Sequence, residues 1–390
     1  MTQTGQPTAR RRSLYRDESG MTLVVVGLGF LGFFAASMLA IDVGMVMVAR
    51  SEAQTSADAG ALAGAIALVF DDFNDRSAGG PAVQNAVVAA QSNEVLGDAV
   101  SVTTADVTFP TPDQIRVDVF RTTGRANPVG TMTAQFFGIP TADIQATATA
   151  DAVPANAATC IKPWAIPDKW DERQDPLWDP TDTFTRYYQN GPNKGNVLPN
   201  PDVFVPADHA GYSGYQQSPS GPDYGYQIVL KAGNPNQAIT PSDFFPIALP
   251  PNNGAAWYEQ NIPGCWTDVA QIGDLVPSEP GNMAGPTAAG TQVLLDQDPS
   301  AYWDSGSNRV ISSQSPSPRI VVLPVYDPDV YDSARAQGRT DIQISNFVGF
   351  FIENLQGNNV VGRLVPATGL IRTGTPVPGG AFLRAIRLVG

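Results

Sequence analysis

A chain with one histidine has few routes to acid–base or nucleophilic chemistry. His209 stands in Pro206-Ala207-Asp208-His209-Ala210-Gly211, a string of turn residues. Any Ser-His-Asp or Cys-His site would have to use it. No G-x-S-x-G elbow, HExxH or CxxC pair accompanies it. The expectation is a solvated loop histidine and no enzyme. Three acidic groups could offer oxygen ligands to calcium: Asp327 with Asp329 and Asp332, Asp179 with Asp182, and Asp296 with Asp298. Their spacing matches no recognised loop, so they read as solvated turn carboxylates and no metal is expected. Asp304-Ser305-Gly306-Ser307-Asn308 has glycine and asparagine where a D-x-S-x-S metal motif needs serines. Tyr187, Tyr188, Tyr212, Tyr215, Tyr224 and Tyr226 could form a binding surface. We read them instead as strand residues of a β core. No cofactor is expected.

One phosphate-binding pattern is a decoy. Val24-Val25-Val26-Gly27-Leu28-Gly29-Phe30-Leu31-Gly32 reads as a strand followed by GxGxxG, with Glu52 20 residues beyond Gly32. A dinucleotide fold needs an amphipathic helix next, then a second strand. Here the apolar run continues on every face. Met21 to Ile41 holds no charge in 21 positions. At ~1.5 Å per residue it spans about 30 Å, the thickness of a bilayer core. Arg10, Arg11, Arg12 and Arg16 precede it. Fewer cations follow, so the positive-inside rule puts the N-terminus in the cytoplasm and the body beyond the inner membrane. A cleavable secretory signal would have a shorter apolar core and a small-x-small site, which Met38-Leu39-Ala40 does not supply. The expectation is a single-pass anchor that stays in the protein.

Charge and composition agree with that placement. Net charge over the 390 residues is −14. The arginines against Asp17 and Glu18 leave residues 1–20 at +2 and the rest at −16. An acidic body argues against nucleic-acid binding, which needs Lys and Arg against phosphates. Apolar residues are 43% of the chain, enough for a packed core. Cys160 and Cys265 both lie beyond the membrane and near tryptophan, in Cys160-Ile161-Lys162-Pro163-Trp164 and Gly264-Cys265-Trp266. In an oxidising compartment they are expected to pair. Closing roughly 100 residues would add up to ~4–5 kcal/mol in the chain-entropy model.

The elements follow from periodicity. Gly32, Ala36, Ala40 and Gly44 recur at i+4 and line one side of a helix with small residues. In lipid such a stripe lets another helix approach closely. A second stripe is Ala49, Ala53, Ala57, Ala61 and Ala65. Met21 to about Phe70 therefore reads as one long helix, with Asp42 at the outer membrane interface, where its charge costs little. The overall expectation is an α+β chain in four parts. Residues 1–20 are a cytoplasmic tail, and 21–70 the transmembrane and stalk helix. Residues 71–153 form a small α+β unit: a helix at 82–95, strands at 100–109, 114–121 and 143–152, and a short helix at 132–137. Residues 154–390 form a mainly antiparallel β domain, its clearest strands at 319–326, 341–353 and 359–365.

Certain strings carry a resemblance. Glu18-Ser19-Gly20-Met21-Thr22-Leu23, then the apolar run, then Leu39-Ala40-Ile41-Asp42-Val43-Gly44, then Arg50-Ser51-Glu52-Ala53-Gln54-Thr55-Ser56-Ala57-Asp58-Ala59-Gly60-Ala61-Leu62-Ala63-Gly64-Ala65 resembles the N-terminal module of the Tad (tight adherence, Flp pilus assembly) proteins, in the TadG-like branch. Val117-Asp118-Val119, Phe136-Phe137-Gly138-Ile139 and Ile144 to Ala150 are similar to the strand, helix and strand that follow there. The stretch Ile272 to Thr287 is similar to the C-terminal part of some members. The resemblance implies a non-enzymatic part of a machine that builds an adhesive pilus, with pilins, pseudopilins or other assembly proteins as partners. Self-association through the helix is a further expectation. The alternatives are a membrane-tethered extracytoplasmic binding module or adhesin, a minor pilus subunit processed after Gly20, and a periplasmic hydrolase using acidic residues. The Gly20-Met21 junction resembles a prepilin cleavage site, but Val25 stands where prepilins carry glutamate, so an uncut anchor is expected.

Overall fold

The computed structural model describes residues 18–71, 75–174, 178–216, 223–234, 237–314, 316–336, 341–373 and 382–389. The basic tail up to residue 17 lies outside the described residues. The chain divides into two compact units. The first takes in the chain up to Ser56 with Gln91–Val102 and Val119–Ala146; the second takes in Ala57–Ala90, Thr103–Asp118 and Thr147 onward.

Helix α1, Glu18–Phe70, runs unbroken for 53 residues and contributes to both units. It holds no proline, and alanine, leucine and methionine recur along it, all strong helix formers.

In the first unit, Ala49 and Ala53 of α1 are fully buried. The helix expected to reach residue 95 ends sooner, because Glu94–Val95 and Asp98–Ala99 pair as a hairpin. Leu96 and Gly97 turn it with positive φ of 53° and 79°, the two-residue turn whose twist suits paired strands. Two side chains fix this turn. The Leu96 N–H donates to the Glu52 carboxylate of α1 at 2.7 Å. The buried Arg121 guanidinium donates to the carbonyls of Val95 and Asn127 and to the Asp98 carboxylate, at 2.7, 3.0 and 2.9 Å. A second hairpin, Val129–Gly130 with Thr141–Ala142, frames the loop between them.

In the second unit, helix α2, Pro81–Gln91, begins with proline at its first position, where the missing N–H costs nothing. α2 packs on the C-terminal part of α1 at two glycines. A Cβ on Gly60 would stand 3.0 Å from the Ala86 carbonyl oxygen and 3.0 Å from the Ala90 Cβ. One on Gly64 would stand 2.3 Å from Ile115 Cδ1 and 3.1 Å from the Ala82 carbonyl oxygen. Ala57, Ala61 and Ala65 are fully buried in the same unit. The strand expected over 100–109 is cut to Val107–Thr108, because Thr103 and Asp106 form a capping box around a 3-10 turn. The expected strands at 114–121 and 143–152 appear as Gln114–Arg121 and Ile144–Pro154. They lie in a five-stranded sheet with Leu383–Val389.

The rest of the second unit is built on six strands: β1 Trp164–Pro167, β2 Gln227–Ala232, β3 Asp243–Pro246, β4 Ile320–Tyr326, β5 Ile342–Gln356 and β6 Asn359–Val365. Their order is β5-β4-β1-β3-β2-β6, and β6 pairs again with β5, so the sheet closes on itself. β5 is paired along both edges, residues 344–351 with β4 and 349–356 with β6, with register shifts at Val325/Tyr326 of β4 and between Ile352 and Asn354 of β5. β4–β1 and β2–β3 are parallel and the other ladders antiparallel, so the domain is mostly antiparallel as expected. Alternate side chains from all six strands meet in one cluster, among them Trp164, Ile228, Phe244, Leu323, Phe350 and Leu364. Three helices that the turn-rich composition hides, Ala255–Asn261, Ala284–Gln297 and Pro328–Ala336, are added. Cys160 and Cys265 are disulfide-bonded and close 105 residues.

The glycine contacts generate a paired prediction. Gly64→Val forces atoms into a filled space and should cost about 1–3 kcal/mol of stability. Gly32→Ala meets no chain atom within 4 Å and should leave stability unchanged. Thermal unfolding of the full chain in detergent micelles, followed by circular dichroism, compares the two. Equal melting temperatures would refute the packing account.

Candidate functional site

The first half of α1 is dressed for a solvent other than water. Leu23, Val25, Leu28, Leu31 and Phe33 are each more than 60% exposed. Gly32, Ala36 and Ala40 lie along an exposed side, and no chain atom comes within 4 Å of the Cβ positions of Gly20, Gly32 and Gly44. Gly20 and Met21 are exposed on the first turns. The stretch is long and apolar enough to cross a membrane.

Asp42 interrupts that surface, and the structure adds that its side chain is enclosed by other parts of the chain. Asp42 is 6% exposed. Its carboxylate accepts the backbone N–H groups of Met132 at 2.8 Å, Thr133 at 3.0 Å and Ala134. The Thr133 hydroxyl lies against the same carboxylate and 3.0 Å from the Met38 carbonyl. The three N–H groups open the 3-10 turn Ala134–Phe137, so the carboxylate caps the positive end of a helical turn. A negative charge on an apolar helix is thereby enclosed by four donors, all within the first unit.

With Asp42 covered, the exposed apolar surface does not stop at Ile41. Val43, Met47 and Val48 continue it, and the first exposed cation is Arg50. Sequence reasoning placed Asp42 correctly as the end of the uncharged run. It missed Thr133 and its neighbours, because nothing local in Thr131-Met132-Thr133-Ala134 marks a partner about 90 residues away.

This segment is the part of the chain with a known relative. Residues 20–67 match the Tad family, Flp pilus-assembly TadE/G-like. The match runs from Gly20 through the Asp42 junction to the buried small residues of α1. The match covers 48 of the 390 residues, and the likeness to pilus-assembly proteins is a likeness of this segment. No curated protein and no solved structure matches the chain. In the Tad segment, Gly32, Ala36 and Ala40 face outward and Gly44 is half-buried, while Ala49, Ala53, Ala57, Ala61 and Ala65 are spent inside the chain's own units.

The residues singled out for chemistry lie in the second unit. His209 is exposed and its Nδ1 lies 2.6 Å from the carboxylate of Asp208, its neighbour in sequence. The two line a cleft of about 280 Å³ with Asp327 and Ser345. Among the described residues, no three His, Cys, Asp or Glu side chains gather as a metal site would require. Several carboxylates expected to be solvated are buried acceptors instead. Asp298 accepts the hydroxyls of Ser312 and Ser317, both at 2.6 Å. Asp332 pairs with Arg335, and Asp327 caps the helix at Pro328–Ala336 through the N–H groups of Asp329 and Val330. Asp179 and Asp182 bond within their own turn. Tyr212 and Tyr215 are buried; the other four tyrosines are half-buried. Tyr212 donates its hydroxyl to Asp168 at 2.7 Å and receives Asn346 at 2.9 Å.

Two predictions follow from these carboxylates. Asp42→Ala removes the acceptor from three amides and should raise local opening of the loop by about 1–3 kcal/mol. Hydrogen exchange should quicken at Met132, Thr133 and Ala134, with the Leu96 amide, held by Glu52, unchanged as the control. Uniform exchange across these four would refute the assignment. The second concerns pH. Burial pushes Asp168 from 3.8 up to about 7, against its three hydrogen bonds, and Asp327 up to about 6. Both bind protons in the folded state that the unfolded chain has released above about pH 4, so stability is highest in acid and falls as pH rises towards 8. Melting temperatures between pH 5 and 8 should fall, and Asp168→Asn should flatten the slope.

Proposed function

We propose that this chain is a membrane-anchored, non-enzymatic assembly or structural component of a Tad-type (Flp) pilus system. The observation that carries the reading is the Tad match itself, which falls on a helix that exposes apolar side chains as far as Val48. In a bilayer such a surface meets lipid or other helices. The outward small residues Gly32, Ala36 and Ala40 suit close approach by a pilin, a pseudopilin, another assembly protein or a second copy. The arginine excess before the helix supports a cytoplasmic N-terminus, and the disulfide supports an oxidising space, periplasmic or extracellular, for the body. The hydrogen bonds that occupy Asp298, Asp327 and Asp332 support a non-enzymatic body.

The test is deletion of the gene in the native host, with pili counted by electron microscopy and adherence measured beside them. Loss of pili, restored by the full-length gene, is the expected result. Normal pili with lost adherence would replace assembly with a tethered adhesin. Recovery of a chain starting at Met21 from sheared pili would make it a minor pilus subunit.

A further inference from the structure

The loop that caps Asp42 carries its own apolar surface, and nothing among the described residues covers it. Phe136 and Phe137 are 78% and 71% exposed, and Met132 and Ile139 stand out beside them. From Ala126 to Ala142 there is no charged residue. We infer that the Thr131–Pro140 loop is a second membrane contact, seating Met132, Phe136, Phe137 and Ile139 in the lipid beside α1. The inference rests on the membrane-anchored reading of α1.

Three observations choose lipid as the occupant. The first is depth. The loop is tied to α1 at Met38 and Asp42, and exposed apolar side chains lie on α1 both before that level, at Leu39 and Ile41, and after it, at Val43, Met47 and Val48. The apolar stretch from Met21 to Val48 is 28 residues. At ~1.5 Å per residue it is about 42 Å long, the span of the hydrocarbon core plus its interfaces. The loop therefore sits at a level where its helix is already wrapped in acyl chains or headgroups.

The second observation is backbone pairing, which takes up at least seven of the nine N–H groups of the loop. A segment can enter lipid only if its peptide groups are paired internally. Here the N–H groups of Met132, Thr133 and Ala134 bond to Asp42. Phe136 N–H donates to Thr133, Gly138 to Gln135 and Ile139 to Ala134, all at 3.1 Å, and Thr131 donates to Pro140 at 3.0 Å. Even the Gln135 amide turns back to the Met132 carbonyl at 2.9 Å. The third is proximity: Thr133, at the head of the same turn, bonds to α1 at Met38 and Asp42, so the aromatic pair stands beside apolar surface that α1 already presents. The geometry makes the loop a wedge at the membrane boundary, and Asp42 the positioning residue that fixes its depth.

The test uses the full chain in phosphatidylcholine and phosphatidylglycerol vesicles. An environment-sensitive fluorophore is attached at Phe136→Cys or at Ile139→Cys; the native cysteines are bonded to each other and do not react. Leu28→Cys serves as the anchor control. Lipids bearing a doxyl quencher near the headgroup or near the chain end report depth, and iodide reports water. At both loop positions the shallow quencher should act about twice as strongly as the deep one, as burial by ~5–10 Å implies, with little quenching by iodide. At Leu28→Cys the deep quencher should dominate. Loop labels open to iodide and untouched by doxyl lipid, with a normal Leu28→Cys signal, would overturn the inference and leave the anchor standing. Loop labels shielded from both quenchers would also overturn it, giving the surface to a protein partner. A Leu28→Cys label open to water would overturn the anchor and the inference together.

Discussion

A carboxylate on a helix of membrane length must be satisfied by donors, and this chain supplies them from about 90 residues away. Asp42 holds the first unit in its arrangement because it is the acceptor for three consecutive amides that could not otherwise face an apolar helix. Leaving an ion unpaired there would cost several kcal/mol, and leaving the amides unpaired would cost comparably. Each group thus removes the other's penalty. The same logic recurs at Glu52, which accepts the amide of the strained Leu96, and at Arg121, which gathers two carbonyls and a carboxylate.

α1 serves two environments with one vocabulary of small residues. At Gly60 and Gly64 the missing side chain admits another backbone, whose carbonyl oxygens would stand only 3.0 and 3.1 Å from an added methyl group. At Gly27, Gly29 and Gly32 no chain atom is near. A run of i+4 small residues therefore does not announce whether its partner is inside the chain or outside it. What separates the two halves is the company of the glycines. Bulky apolar residues surround the first set, and alanines with scattered polar side chains surround the second.

The second unit shows a related economy among its polar groups. Asp168, Asp298 and Asp332 are buried with their oxygens committed to hydroxyls, amides and a guanidinium. Each takes its own partners from elsewhere in the chain: Tyr212 for Asp168, Ser317 for Asp298 and Gln189 for Asp332. The disulfide ties Cys160, just ahead of β1, to the segment after the helix at Ala255–Asn261. Such residues look like ligands when read in a line and act as acceptors when folded.

The sequence alone determined the features that depend on local physics. An uncharged run of bilayer length must be helical, because only a helix pairs every peptide group within itself in lipid. The strands at 320–326, 342–356 and 359–365 were legible from β-branched and aromatic density, and the cysteine pair from compartment. Tertiary structure decided everything that depends on long-range closure. The strand expected at 100–109 lost most of its length to a capping box, and the helix expected to reach residue 95 gave way to the Leu96-Gly97 turn. The sheet closed into a ring through a second pairing of β5 that no local pattern foretells. Asp42 was legible as the charge that ends the apolar run, but its role as a buried cap was not, because its donors are set by how the chain returns to the helix rather than by any residue near it.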